Sequence, residues 1–238
     1  MSTFLSIIAL LVATAVVVAF LHRFYRKATR ERALIRTGFG GEKVMLDGGF
    51  LALPFLHRVE EIDMRTMHIR VERSGAASML TEDRLRLDLE VEFYLRVEPS
   101  VLGVATAAQA LGARALTSKE LSNLFAGRFV DAIQAVVAST AMDALHEDRT
   151  SFVSSVAARL ADSLSQNGLK LESVSLTALD QTSFSALDEN NAFNAVGMRR
   201  LAEVIATNKK KRAEIEADAE VSVRRTELEG LKLSLIHI

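Results

Sequence analysis

Phe4 to Leu21 forms eighteen consecutive positions with no charge and no proline, twelve of them Phe, Leu, Ile or Val. As a helix this run spans about 27 Å, close to the ~30 Å hydrocarbon core of a bilayer. Its twelve large apolar residues favour insertion by roughly 5 kcal/mol. Ser6 and Thr14 return their hydroxyls to backbone carbonyls and cost little to bury. The pattern predicts a membrane-spanning helix over 4–21. Nothing before Phe4 is charged except the amino terminus, and no small-residue cleavage site follows, so a cleaved signal peptide does not fit. His22, Arg23, Phe24, Tyr25, Arg26 and Lys27 come next, with Arg30 and Arg32 close behind. By the positive-inside rule this basic juxtamembrane segment, 22–32, keeps the bulk of the chain in the cytosol and leaves residues 1–3 outside. Arg23, Phe24, Tyr25, Arg26 and Lys27 are candidate membrane-interface residues, aromatic at headgroup level and cationic toward anionic lipid.

The pattern then changes to strands. Lys43–Leu46 and Phe50–Pro54 flank Asp47-Gly48-Gly49, which predicts a hairpin whose second arm is an edge or leaves the sheet at Pro54. Phe50, Leu51, Leu53, Phe55 and Leu56 are too apolar for a free tip and extend the candidate membrane interface. Ile62 and Met64 lose phase with Met67, Ile69 and Val71, so a turn or bulge lies near Thr66. From Arg84 to Glu98, Leu85, Leu87, Leu89, Val91, Phe93, Leu95 and Val97 alternate with polar residues. That is a long strand with one dry face in an antiparallel sheet.

Helical periods follow Pro99. Thr117 and Glu120 are spaced as a capping box. Leu121, Leu124, Phe125, Phe129, Ile133, Val136 and Val137 predict one apolar face, and Phe152, Val156, Leu160 and Leu164 a second helix from about Asp148 to Asn167-Gly168. Leu169–Leu179 reads as a strand whose phase slips at Ser173. Met198–Lys232 is a long charged helix with opposite charges four apart, Lys210–Glu214, Arg212–Glu216 and Glu220–Arg224. An eleven-residue repeat fits its thin stripe better than a heptad, passing Leu201, Ile205, Asn208, Arg212, Ile215, Ala219 and Val223. A basic block, Lys209, Lys210, Lys211 and Arg212, precedes acids that include Glu216 and Glu220. Such a helix gains little alone. The stripe residues and these charges are candidate oligomerisation residues, with a neighbouring copy slid by one to two turns to set block against block of opposite sign.

Composition narrows the chemistry. A net charge of −1 gives no overall pull toward nucleic acid, and the absence of Cys removes disulfides, thiolate metal sites and cysteine nucleophiles. Gly38-Phe39-Gly40-Gly41 has Lys43 where a dinucleotide loop needs its third glycine, so a tight turn is the better reading. Thr81-Glu82-Asp83 also reads as a turn. The histidines lie at no metal-ligand spacing. No catalytic, cofactor or metal residue is expected.

With those parts in order, the chain resembles the stomatin/prohibitin/flotillin (SPFH, or band 7) superfamily, and most of all bacterial flotillin-like inner-membrane proteins. The matching residues are Ala33–Gly41, Asp47–Pro54, Leu80-Thr-Glu-Asp83 leading into the long strand and Val97-x-Pro99. Leu179-Asp-Gln-Thr182, Asn190-Asn-Ala-Phe193 and the charged helix complete the match, over about residues 4 to 232. The resemblance implies an α+β fold: a β-rich subdomain at 33–99, an α/β subdomain at 100–187 and an oligomerising helix at 188–232. It also implies a homo-oligomeric ring or cage that organises membrane microdomains, with a small NfeD-like membrane partner and no enzymatic residues. An SPFH-type subunit that modulates a membrane protease is the second function, and a hydrolase with paired carboxylates a distant third. Leu233–Ile238 breaks the charge pattern and matches the translation of a sequencing-adapter end. A truncated reading frame with an adapter scar is therefore expected, forming small or heterogeneous oligomers.

Overall fold

The structure, a computed structural model, describes residues 2–112, 118–188 and 191–236. The first helix, α1 (Ser2–Phe24), contains the apolar run and extends it by a turn. The chain leaves it directly as strand β1 (Tyr25–Lys27), then forms β2 (Arg32–Gly38), β3 (Lys43–Met45), β4 (Gly49–Leu51) and β5 (His57–Asp63). The pairing corrects the hairpin expected at Asp47-Gly48-Gly49. The chain does reverse there, but its arms separate: β3 pairs with β2, while β4 pairs antiparallel with β1. The basic stretch after α1 is itself extended and offers β4 a free edge. Ala52 donates its N–H to the carbonyl of Phe24 and Ala28 to that of Gly48, each at 2.8 Å, so the ribbon begins at the last residue of α1. β2 is central in a three-stranded antiparallel sheet between β3 and β5, with Ala33, Leu34 and Ile35 buried.

After Met64–Thr66 the chain enters a second sheet. It contains β6 (Met67–Arg73), β7 (Met79–Leu80), β8 (Arg86–Val97) and β9 (Leu169–Gln181). β8 is its middle strand, with β6 and β7 successively on one side and β9 antiparallel along the other. Leu87, Leu89, Val91, Phe93, Leu95 and Val97 are all buried on one face of β8, the alternation that the sequence predicts. β9 slips register twice. One slip leaves Glu172 as an extra residue beside Ser173, within one position of where the phase breaks in the sequence.

Among the described residues, four helices lie between β8 and β9: α2 (Val101–Leu111), α3 (Ser118–Val137), α4 (Met142–Glu147) and α5 (Arg149–Ser165). Ser100 caps α2 by accepting from the N–H of Gly103, and Asp148 caps α5 by accepting from that of Ser151. Thr117 of the expected capping box lies outside the described residues. α3 buries Leu121, Phe125, Phe129, Ala132, Ile133, Val136 and Val137, whereas Leu124 is exposed. Leu124 sits roughly 120° round from the centre of that stripe, so the periodicity excludes it on closer inspection. α5 buries Phe152, Val156, Leu160 and Leu164. These two faces close on β8, where the rings of Phe93 and Phe129 stack at 4.6 Å. Phe129→Ala empties the middle of this core and is expected to cost about 3–5 kcal/mol, read as a lower midpoint in urea. An unchanged midpoint would show that the core collapses to fill the space.

The last element is α6 (Ala192–Ile236), a single helix of 45 residues, about 67 Å long. It begins earlier than the charge pattern alone indicates.

Candidate membrane interface and assembly helix

Among the described residues, two regions stand out as lacking a covering layer. The first begins with α1, whose described side chains from Phe4 to Arg23 are all exposed. At its end the antiparallel ribbon sets Tyr25 opposite Leu51, Arg26 opposite Phe50 and Lys27 opposite Gly49. Five of the candidate interface residues, Tyr25, Arg26, Lys27, Phe50 and Leu51, are thus drawn from two distant stretches onto one small element. Arg23 and Phe24 close the helix just before it, with Phe24 resting 4.6 Å from Phe20. Phe50 is less free than its neighbours: the Arg36 guanidinium lies over its ring at 5.7 Å, which ties the ribbon to β2.

Leu53, Phe55 and Leu56 belong to the turn between β4 and β5. His57 organises that turn by accepting from the Leu53 N–H at Nδ1, 3.3 Å away. Its Nε2 therefore carries the proton and donates to the Phe39 carbonyl at 3.2 Å. Phe39 in turn donates its N–H to the carbonyl of Leu56. This close approach requires glycine at 38, where φ is +125° and a Cβ would fall 2.1 Å from the Leu56 carbonyl oxygen. The consequence is a paired tip: Phe55 is 97% exposed and Phe39, beside it, 76%. Sequence reasoning missed Phe39, because the Gly-rich stretch was weighed for its glycines rather than for the aromatic they present.

The second region is α6. Its root is fixed to the second sheet by a polar contact and a close backbone approach. Asn194 is buried, accepts from Arg86 Nε at 2.6 Å and donates to the Asp188 carbonyl. Gly197 lies against the backbone of Arg84, which holds a left-handed φ of 63°. A Cβ at 197 would stand 2.3 Å from the Arg84 carbonyl oxygen. Leu201 is half-buried in the groove with Leu85 and Met198, at the root of α6. The backbone contact draws the first turns of α6 onto the sheet.

Beyond the root, every described residue from Ala202 to Gly230 is exposed. Ile205, Lys209, Lys210, Lys211, Arg212, Ile215, Glu216, Ala219, Glu220 and Val223 all lie on this free length. Lys210–Glu214, Arg212–Glu216 and Glu220–Arg224 approach at 3.9, 3.8 and 3.0 Å. These are surface pairs, each contributing about 0.3–0.5 kcal/mol to the helix. Val204, Val221 and Leu228 are exposed too, and the eleven-residue stripe leaves them out.

The polar face of the second sheet carries an ion ladder. Arg70 reaches Glu90 at 2.9 Å and Glu92 at 3.1 Å, and the Tyr94 hydroxyl donates to Glu92 at 2.9 Å. The Tyr94 hydrogen bond, aided by Arg70 and His68, holds the Glu92 carboxyl below the usual carboxylate range. A carboxylate lowered by folding stabilises the folded state at neutral pH and loses that contribution as pH falls through its folded pKa. Glu92→Gln is therefore expected to lower the thermal midpoint at pH 7 and to match the parent under acid conditions. A midpoint difference independent of pH would sink that account. Among the described residues no cluster of three or more His, Asp or Glu is placed to hold a metal ion.

A family model described as the SPFH domain / Band 7 family matches residues 27–228, from β1 through most of α6. This chain belongs to the SPFH / Band 7 family. It is 42% identical over 232 residues to Flotillin family inner membrane protein YqiK of Escherichia coli (strain K12), covering 98% of this chain and 42% of that protein. A second flotillin family inner membrane protein, from Synechocystis sp., is 30% identical over 233 residues, covering 96% of this chain and 34% of its own length. The chain thus spans roughly two fifths or less of the relatives it matches. Against the SPFH match, the apolar α1 lies before residue 27, while the two sheets, their helices and α6 as far as residue 228 lie within it.

Proposed function

We propose that this SPFH protein is an inner-membrane scaffold subunit: α1 spans the bilayer, the rest lies in the cytosol, and α6 joins copies side by side to organise membrane microdomains. The observation that carries the assembly is the bare length of α6. A 45-residue helix held at its root and exposed over its described length from Ala202 to Gly230 leaves those apolar positions to water unless another helix covers them. A second copy offers the same stripe and the same basic block before acids, so parallel neighbours slid by one to two turns complement each other. The flotillin relatives' names support the inner membrane, and the basic residues after α1 support the cytosolic placement. The resemblance adds a small NfeD-like membrane partner to this proposal.

One variant tests both halves. The chain has no cysteine, so Ile215→Cys introduces a single thiol on the free length of α6. In inverted inner-membrane vesicles an impermeant maleimide is expected to label it from outside, and mild oxidation to join two copies. Labelling only after detergent would reverse the topology, and the absence of any cross-linked species would remove α6 from the interface.

A further inference from the structure

Between the end of α1 and the β1–β4 ribbon lies an open cleft of about 620 Å³, lined by Val18, Leu21, His22, Tyr25, Lys27 and Leu51. We propose that it holds one anionic phospholipid, an acyl chain along Val18, Leu21 and Leu51 and the phosphate at Lys27 and His22. The inference rests on α1 spanning the bilayer, and it adds a specific lipid site to a general anchor.

Three observations converge on that occupant. The first is place. Val18 and Leu21 are in the last turns of the apolar run, and Tyr25 and Lys27 are the first residues of the head, so the cleft straddles the depth where acyl chains meet headgroups. Water in such an apolar recess is displaced at a gain, and in a bilayer the neighbour that displaces it is lipid. Charge is the second. No carboxylate lines the cleft, and neither Lys27 nor His22 has a partner among the described residues. A phosphate supplies the missing acceptor, while an anionic headgroup brings no cation of its own to compete. The third is construction: the Ala52 N–H bond to the Phe24 carbonyl holds the Leu51 wall against the helix, so the cleft is built by pairing and not by a loose side chain.

The test uses the whole chain in nanodiscs of phosphatidylglycerol and phosphatidylcholine in equal amounts, released for native mass spectrometry. One phosphatidylglycerol is expected to stay with each chain, favoured over phosphatidylcholine by about fivefold, the preference worth one basic group at a membrane surface. Lys27→Gln should bring that preference to near parity. Val18→Trp fills the cleft from the helix side, outside the folded head, and should lower retention of both lipids about tenfold. Lys43→Gln, an exposed lysine on β3, should change neither. Equal loss from Lys43→Gln and Lys27→Gln would mean diffuse attraction and overturn the site. Unchanged retention in Val18→Trp would overturn the acyl-chain placement. Inorganic phosphate adducts in lipid-free detergent, at the level of retained lipid and lost in Lys27→Gln, would overturn the lipid in favour of free phosphate. Failure of the anchor itself reads differently: the parent chain would be extracted from membranes by alkaline carbonate.

Discussion

Gly197→Leu is expected to leave the sheets folded and to abolish cross-linking between copies through the Ile215→Cys thiol. The side chain has no room, because a Cβ at 197 already falls 2.3 Å from the Arg84 carbonyl oxygen, and that backbone is held at a left-handed φ. Overpacking of this kind costs about 1–3 kcal/mol. The least costly relief is to lift α6 from its root, against the contacts of Asn194 and Arg200 and the half-buried Leu201 and Met198. Exposed helix pairs are weak singly, so assembly depends on many of them meeting in one register. A helix whose direction is no longer set by the sheet cannot keep that register around a closed assembly. Gly230→Ala is the control, as a Cβ there meets nothing within 4 Å. Cross-linking and mass photometry of the two detergent-solubilised variants decide the matter, with circular dichroism confirming the sheets. Parent-like particles from Gly197→Leu would show that α6 needs no fixed root to assemble.

The aromatic tip gives the second large effect. A chain lacking residues 1–21 keeps Tyr25–Lys27 as the partner of β4, and it is expected to bind anionic vesicles weakly. Phe39→Asp together with Phe55→Asp should reduce that binding about a hundredfold, since burying two phenylalanine side chains in the interface is worth at least about 3 kcal/mol. The two residues act as one because Phe39 bonds to Leu56 and His57 bridges both loops. Deleting residues 1–32 instead would remove β1 and unpair the ribbon, confusing lost anchoring with lost structure. Vesicle flotation measures the effect. A shortened chain with no lipid affinity, or a double variant that binds unchanged, would place this tip away from the bilayer.

How much of this was legible depended on how far apart the partners lie. α1, β8 and α5 announce themselves because each carries its own period over many residues, and the opposite-charge pairs of α6 appear at the spacings expected. The separation of the Asp47–Gly49 arms was not legible. Turn chemistry fixes that the chain reverses, but β4's partner, Tyr-Arg-Lys, looks like nothing more than an anchor's basic flank. α2 was hidden for the opposite reason: Val101–Leu111 is so uniformly small and apolar that it shows no polar face. In the candidate site, residue type pointed to Tyr25–Lys27 and Phe50–Leu56 separately, and only the pairing joined them. The half-burial of Leu201 at the root of α6 was not legible either, because a period cannot see Gly197 meeting Arg84.

The junction of α1 and β1 has a mechanical consequence. No residue separates the helix from the ribbon, and the bond from Ala52 to Phe24 splints the joint from the other side. The helix therefore meets the ribbon without an intervening linker. Spans in bilayers lean by about 20° on average, more where the hydrocarbon layer is thin. With α1 spanning the bilayer as proposed, its lean is passed to the β1–β4 ribbon, so local membrane thickness sets the angle at which that ribbon meets the lipid surface.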